Sequence, residues 1–282
     1  MLGKGWLLNL ILVIAVAALG GWVYWLENKP DEPKTPLFNI DPVKLDTIVI
    51  QRQKNRIELH KTGDRWQMIH PYHARVDSYR IEQLLSLPQQ TSQAQYPVST
   101  ETLSSFGLAP PQVSVKLGEK KIDFGNTQPL DGWRYIRIDD TLHLIDDSIY
   151  PLLTARASDW VERKLLPNSE IRALILPGWK IRLSEKGTWL SEPEAPQEAL
   201  TRFVETWRQA RAIQVSPFTG KPANAKETIT VQLKDQTLKW DILQREPELI
   251  LLDRQQKLRY HFYGTSGKKL LAPELPKSSG KK

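Results

Sequence analysis

The chain has 282 residues, with 39 Lys and Arg against 32 Asp and Glu, a formal charge of +7 and no cysteine. The missing thiols exclude disulfide scaffolding, thiolate metal sites, cysteine nucleophiles and cysteine lipidation, so an exported body must rest on its core. The length is ample for one or two such cores.

Residues 5–26 are apolar apart from Asn9. At 1.5 Å per residue such a run reaches roughly 33 Å, enough to cross a hydrocarbon layer. Trp6 at one end and Trp22, Tyr24 and Trp25 at the other stand where interfacial aromatics stand. Lys4 and the amino terminus charge the leading side, while Glu27, Asp31 and Glu32 outweigh Lys29 and Lys34 on the trailing side. The positive-inside rule then predicts residues 1–4 in the cytoplasm, a transmembrane helix over 5–26 in an inner membrane, and a periplasmic body. A cleaved signal peptide is the alternative, because "AVA" at residues 15–17 offers small residues at cleavage spacing. The apolar run nevertheless continues past it through two tryptophans. Residues 27–44, proline-rich and charged at their start, read as a stalk.

Strand-like alternation follows. "LDTIVIQ" and "RIELHK" lead through the turn "TGD" into "RWQM". In "DSYRIEQLLSLP", Asp77 or Ser78 can cap a helix whose face carries Ile81, Leu84 and Leu85, and Pro88 stops it. Four strands are then expected from "QVSVKL", "KKIDFG", "WRYIRI" and "TLHLI". Beyond residue 170 the order recurs. "IRALIL" precedes the hairpin "KIRLSEKGTWL", in which Gly187 and Trp189 stand where Gly63 and Trp66 stood. Leu200, Phe203, Val204 and Trp207 then fall at i, i+3, i+4 and i+7 of an amphipathic helix. "ETITVQL", "TLKWDIL", "ELILLD" and "KLRYHFY" complete four more strands, and "SIYPLL" is echoed by "SGKKLL".

The expected fold class is therefore α+β: a single transmembrane helix followed by two tandem, duplicated domains, each an antiparallel sheet with a helix on one face. The boundaries predicted are 45–167 and 168–271, with a basic disordered tail over 272–282. The first copy carries an insert over residues 99–111, expected to be a short helix closed by Gly107.

The insert carries the most specific pattern in the chain: Leu103, Phe106, Gly107, Leu108, Pro110 and Val113, followed by Gly125 and Tyr135. With the anchor, the Trp hairpin, "YIRI" and "RKLL", it resembles domain-of-unknown-function family 4340 over most of residues 45–260. The resemblance implies a membrane-anchored extracytoplasmic protein, of a kind often associated with ABC-type transport systems of the gliding-motility auxiliary type. It implies an accessory or binding role and brings no catalytic residues.

The chemistry-bearing residues are sparse. His70 and His73 are three apart, but Pro71 breaks helical spacing and no third metal ligand is evident. His60, His143 and His261 fall singly in strand patterns. Asp139–Asp140 and Asp146–Asp147 could serve acid–base work or a hard cation, yet each sits at a strand end, where Asp favours turns. "GTSGKK" at residues 264–269 has the wrong spacing for a phosphate loop. Trp66 and Trp189 recur at equivalent places and are expected to pack rather than to bind. Ala17 and Gly21 form a small-xxx-small step that would let another membrane helix approach.

No catalytic, cofactor or metal residues are assigned from sequence, and no nucleic-acid motif is present. The expectation is a non-catalytic accessory or scaffold protein with the bilayer and a membrane transport or envelope complex as partners. The alternative is a binding module for an anionic envelope polymer or solute, using the cleft between the copies and the basic tail. A hydrolase centred on His70 and His73 ranks third.

Overall fold

The computed structural model describes residues 4–27, 36–220 and 227–275, and within the first helix the side chains of residues 11–24. That helix, α1, runs Lys4–Glu27. Ile11, Leu12, Val13, Ile14, Val16 and Leu19 on it are each more than half exposed and join neither apolar cluster of the protein. Among the described residues no helix is long and apolar enough to cross a membrane. Residues 5–10 and 25–26 of the expected span lie outside the described side chains, as do residues 28–35 of the expected stalk and 276–282 of the expected tail.

The rest is mostly β-structure with few helices, an α+β arrangement of two antiparallel sheets. The first sheet opens with β1 (Thr47–Arg52), β2 (Asn55–Thr62) and β3 (Arg65–His70), plus a two-residue edge strand β4 (Ala74–Arg75). Helix α2 (Ser78–Leu85) follows, capped by the Asp77 carboxylate, which accepts from Tyr79 N. Then come β5 (Ala94–Pro97), β6 (Val113–Leu117), β7 (Lys120–Thr127), β8 (Arg134–Ile138), β9 (Thr141–Ile145) and the single turn α3 (Tyr150–Thr154).

The second sheet comprises β10 (Ile171–Leu176), β11 (Trp179–Leu183) and β12 (Trp189–Glu192). Helix α4 (Gln197–Arg208) leads to β13 (Gln214–Pro217). The series ends with β14 (Thr228–Leu233), β15 (Thr237–Gln244), β16 (Glu248–Asp253), β17 (Leu258–Tyr263) and α5 (Thr265–Lys268).

Strand order is β4-β3-β2-β1-β6-β7-β8-β9-β5 in the first sheet and β12-β11-β10-β14-β15-β16-β17-β13 in the second. With β4 set aside, the two orders are the same connectivity: a three-strand meander, a helix, an edge strand on the far side, then a four-strand meander inward and out again. The edge strands β5 and β13 were not expected from the sequence. Both are short, both end in proline, and both take their register from the neighbour, Tyr96 opposite Leu142 and Val215 opposite Tyr260. The two Trp hairpins are present, each turning on a glycine at positive φ, Gly63 and Gly187.

The expected apolar faces are buried. Ile81 and Leu84 of α2, and Leu200, Phe203, Val204 and Trp207 of α4, are at most 4% exposed, while Leu85 packs at the rim. They belong to one contiguous cluster that also takes Ile48, Ile57 and Ile122 from the first sheet and Leu174, Ile229 and Phe262 from the second. Trp66 and Trp189 pack against this cluster partly buried.

A second, smaller cluster lies on the other face of the first sheet. There the insert forms a 3-10 helix, Thr100–Phe106, and Leu103 and Leu108 cover Leu142 while Phe106 meets Tyr135 at 4.7 Å between ring centroids. Two glycines allow it to sit so close. Gly107 takes φ +69 beside Asn126, and a Cβ on Gly125 would stand 2.1 Å from the Phe106 carbonyl oxygen. The pattern that carries the family resemblance is thus a packing device, which docks the insert on β7, β8 and β9.

Candidate functional site at the junction of the sheets

The segment between the sheets is held on both sides by backbone pairing. Val76 bridges Val161, and Lys164 bridges Arg211. Asp77 N donates to Trp160 O, Glu162 N to Arg75 O, and Leu165 N to Ala210 O. Two arginines clamp it further. Arg75 donates to the carbonyls of Lys164 and Leu165 at 2.6 and 2.9 Å, and Arg211 reaches both Asp77 and Glu162, at 3.1 and 3.0 Å. Burial pulls the Arg75 guanidinium below its ordinary range, against the pull of nearby Tyr260 and Glu162.

Two clefts open beside this junction. The first, about 460 Å3, has an apolar floor of Trp66, Val76, Ile81, Leu166 and Pro167 under a rim of mixed charge. The second, about 470 Å3, is lined by Arg52, Lys54 and Arg56 of the β1–β2 hairpin, by His70 and Tyr72, and by Arg156. Pro217 of the second sheet also borders it, and no Asp or Glu does. Both volumes lie in the range of small-ligand sites.

The sequence-selected residues scatter. His70 and His73 are exposed, and only His70 borders a cleft. Asp139 sits in the β8–β9 turn at φ 52 and pairs with Lys120 at 2.7 Å. Asp146 accepts from Ser148 N, and Asp147 clasps Arg134. Residues 264–269 form the turn around α5, where Lys268 pairs with Glu246. Among the described residues no group of three His, Asp or Glu could hold a metal.

One constellation was not anticipated. Arg259 Nε donates to Ser216 Oγ at 3.2 Å, Ser216 Oγ lies 2.8 Å from His261 Nε2, and His261 Nδ1 lies 3.3 Å from Glu248 Oε2. Arg259 can only donate, so Ser216 Oγ accepts from it; with the neutral ring donating Nδ1–H to the Glu248 carboxylate, Nε2 accepts the serine O–H hydrogen bond. The atoms follow the order of a hydrolytic relay, but Ser216 is 8% exposed and one lone pair is taken by Arg259. Here the row braces edge strand β13 to β17 and β16. Nothing in the sequence signals it, since Ser216 and His261 stand 45 residues apart.

The buried His143 makes a pH prediction. Its Nδ1 lies 3.2 Å from Ser92 Oγ, and burial lowers its pKa from 6.5. A depressed folded value means the unfolded chain takes up the proton first. Stability is therefore full above 6.5 and falls as pH drops from there toward the folded value. Denaturant midpoints measured across that window should decline in the parent protein, and His143→Gln should flatten the decline.

The family model described as "Domain of unknown function (DUF4340)" matches residues 66–239, from the first Trp hairpin into β15. No curated protein and no solved structure matches the chain significantly.

Proposed function

The chain belongs to the DUF4340 family, and from that premise we propose that it is a single-pass inner-membrane protein whose periplasmic body is a non-catalytic accessory subunit of an ABC-type transport or envelope-assembly complex. The observation that carries this reading is α1. Its described apolar side chains are exposed and lie outside both clusters, and the apolar run in the sequence extends beyond them on both sides. A helix of that kind leaves a large apolar surface in need of lipid or another helix. The body is read as a duplicated unit on the strength of its two matching strand orders. In this role the anchor concentrates the body near its partner.

The test is fractionation followed by native purification. The full chain should stay with membranes through alkaline carbonate washing, deletion of residues 1–27 should release it, and mild detergent should bring an integral membrane protein with it. Release of the full chain by carbonate, or a monomer without such a partner, would overturn the proposal. A second reading, a binding module for an anionic solute or envelope polymer, is favoured by the wholly cationic charge of the second cleft.

A further inference from the structure

The second cleft is unusual in how its charges are balanced. Four permanent cations, Arg52, Lys54, Arg56 and Arg156, border it without an acid in the wall. Arg56 has a carboxylate at hand, Glu58 at 2.5 Å, and Arg156 is held by Asp159 at 3.0 and 3.2 Å. Neither acid lines the cleft. Lys54 makes no hydrogen bond or ion pair among the described residues.

Arg52 is the telling residue. Its Nη1 donates to Thr154 O at 2.7 Å, while its Nε is buried with no partner. Burial lowers its pKa, and the neighbouring Tyr150 only partly opposes that. Arg52 is half-buried, and an anion in the cleft would offset the partial desolvation of its guanidinium. An arginine fork and a lysine point charge together match an oxyanion of more than one negative charge better than a lone carboxylate.

We propose that this cleft binds a phosphate group, received by Lys54 Nζ and the Arg52 guanidinium and flanked by Arg56 and Arg156. The inference rests on the second reading above and names its ligand chemistry. The cleft is assembled from the first hairpin, the segment before the junction and Pro217, so occupancy would also tie the two sheets together.

The probe is inorganic pyrophosphate, titrated calorimetrically into the full chain in neutral detergent micelles. Saturable binding is expected, with Lys54→Gln weakening it by roughly tenfold or more and Arg52→Gln by at least as much. Lys54 is exposed in the turn, so its replacement leaves the fold intact even if the Arg52 variant proves unstable. Lys239→Gln, on the second sheet, should leave binding unchanged. A soluble short-chain phosphatidic acid tells a lipid headgroup from a soluble ester: tighter binding than pyrophosphate, lost in the same variants, assigns the headgroup. Equal affinity in Lys54→Gln and the parent, or displacement by chloride at matched ionic strength, would overturn the site. If pyrophosphate fails while heparin is retained and Lys54→Gln abolishes retention, the phosphate inference falls and the anion reading stands. If neither binds, both fall.

Discussion

Trp207→Ala is expected to cost about 4 kcal/mol. Trp207 is 0% exposed, lies with its ring centroid 6.3 Å from that of Trp240, and donates from Nε1 to the Leu270 carbonyl at 3.2 Å. Truncation removes the apolar burial, leaves a cavity between α4 and the second sheet, and orphans the Leu270 carbonyl just past α5. Against a total of roughly 5–15 kcal/mol, that brings the fold near its limit. Trp207→Phe keeps most of the volume and loses only the hydrogen bond and some contact, so about 1–2 kcal/mol is expected. Guanidinium denaturation followed by tryptophan fluorescence and far-UV circular dichroism measures both. An alanine variant within about 1 kcal/mol of the parent would show that the site is not packed as described.

Arg134→Met comes second, at roughly 2–4 kcal/mol. The Arg134 side chain is only 7% exposed. It grips Asp147 through Nε and Nη2, donates to the Gly125 carbonyl through Nη1, and lies 3.3 Å from the centroid of the Tyr150 ring. Tyr150 in turn donates to Gln112, which donates to Asn126 beside Gly107. Methionine matches the stem but strands the Gly125 carbonyl and the Asp147 carboxylate. Because Asp147 is 36% exposed, water recovers part of that loss and the upper end is not reached through charge alone. Arg134→Lys should recover little, since a single ammonium cannot serve a carboxylate and a carbonyl in one plane. Asp147→Asn should cost less than either, and a double-mutant cycle between the two positions should return a coupling above about 1 kcal/mol. A coupling near zero would mean that the pair contributes nothing beyond its surroundings.

What could be read from the sequence follows from how each element earns its stability. The helical spacing of Leu200, Phe203, Val204 and Trp207 is a direct record of which face is buried, and the meander strands alternate because one side of each sheet meets the core. Strands β5 and β13 left no such record. They are held by backbone pairing to β9 and β17, with Gln95, Tyr96 and Pro97 exposed on the first of them. Short edge strands carry too little pattern to be seen alone.

The cationic cleft was hidden for a different reason. Arg52 and Thr154 are 102 residues apart, and only the folded chain brings the first hairpin against the segment that precedes the junction. The histidine and aspartate pairs that do stand out in the sequence proved to be turn and surface residues. Local spacing advertises local roles, whereas this cleft is made of long-range neighbours.

The place of β1 within its sheet sets how the body would carry a mechanical load. The chain enters the first sheet at β1, and β1 lies inside it, paired antiparallel with β2 from Thr47 to Arg52 and with β6 from Ile48 to Arg52. Tension applied through the N-terminal helix along the strand would shear both ladders at once, so their hydrogen bonds resist together. Had the chain entered at edge strand β4 or β5, the same tension would load a single ladder. A body loaded through an interior strand is a stiff coupling, because two hydrogen-bonded ladders must give way before that strand can move.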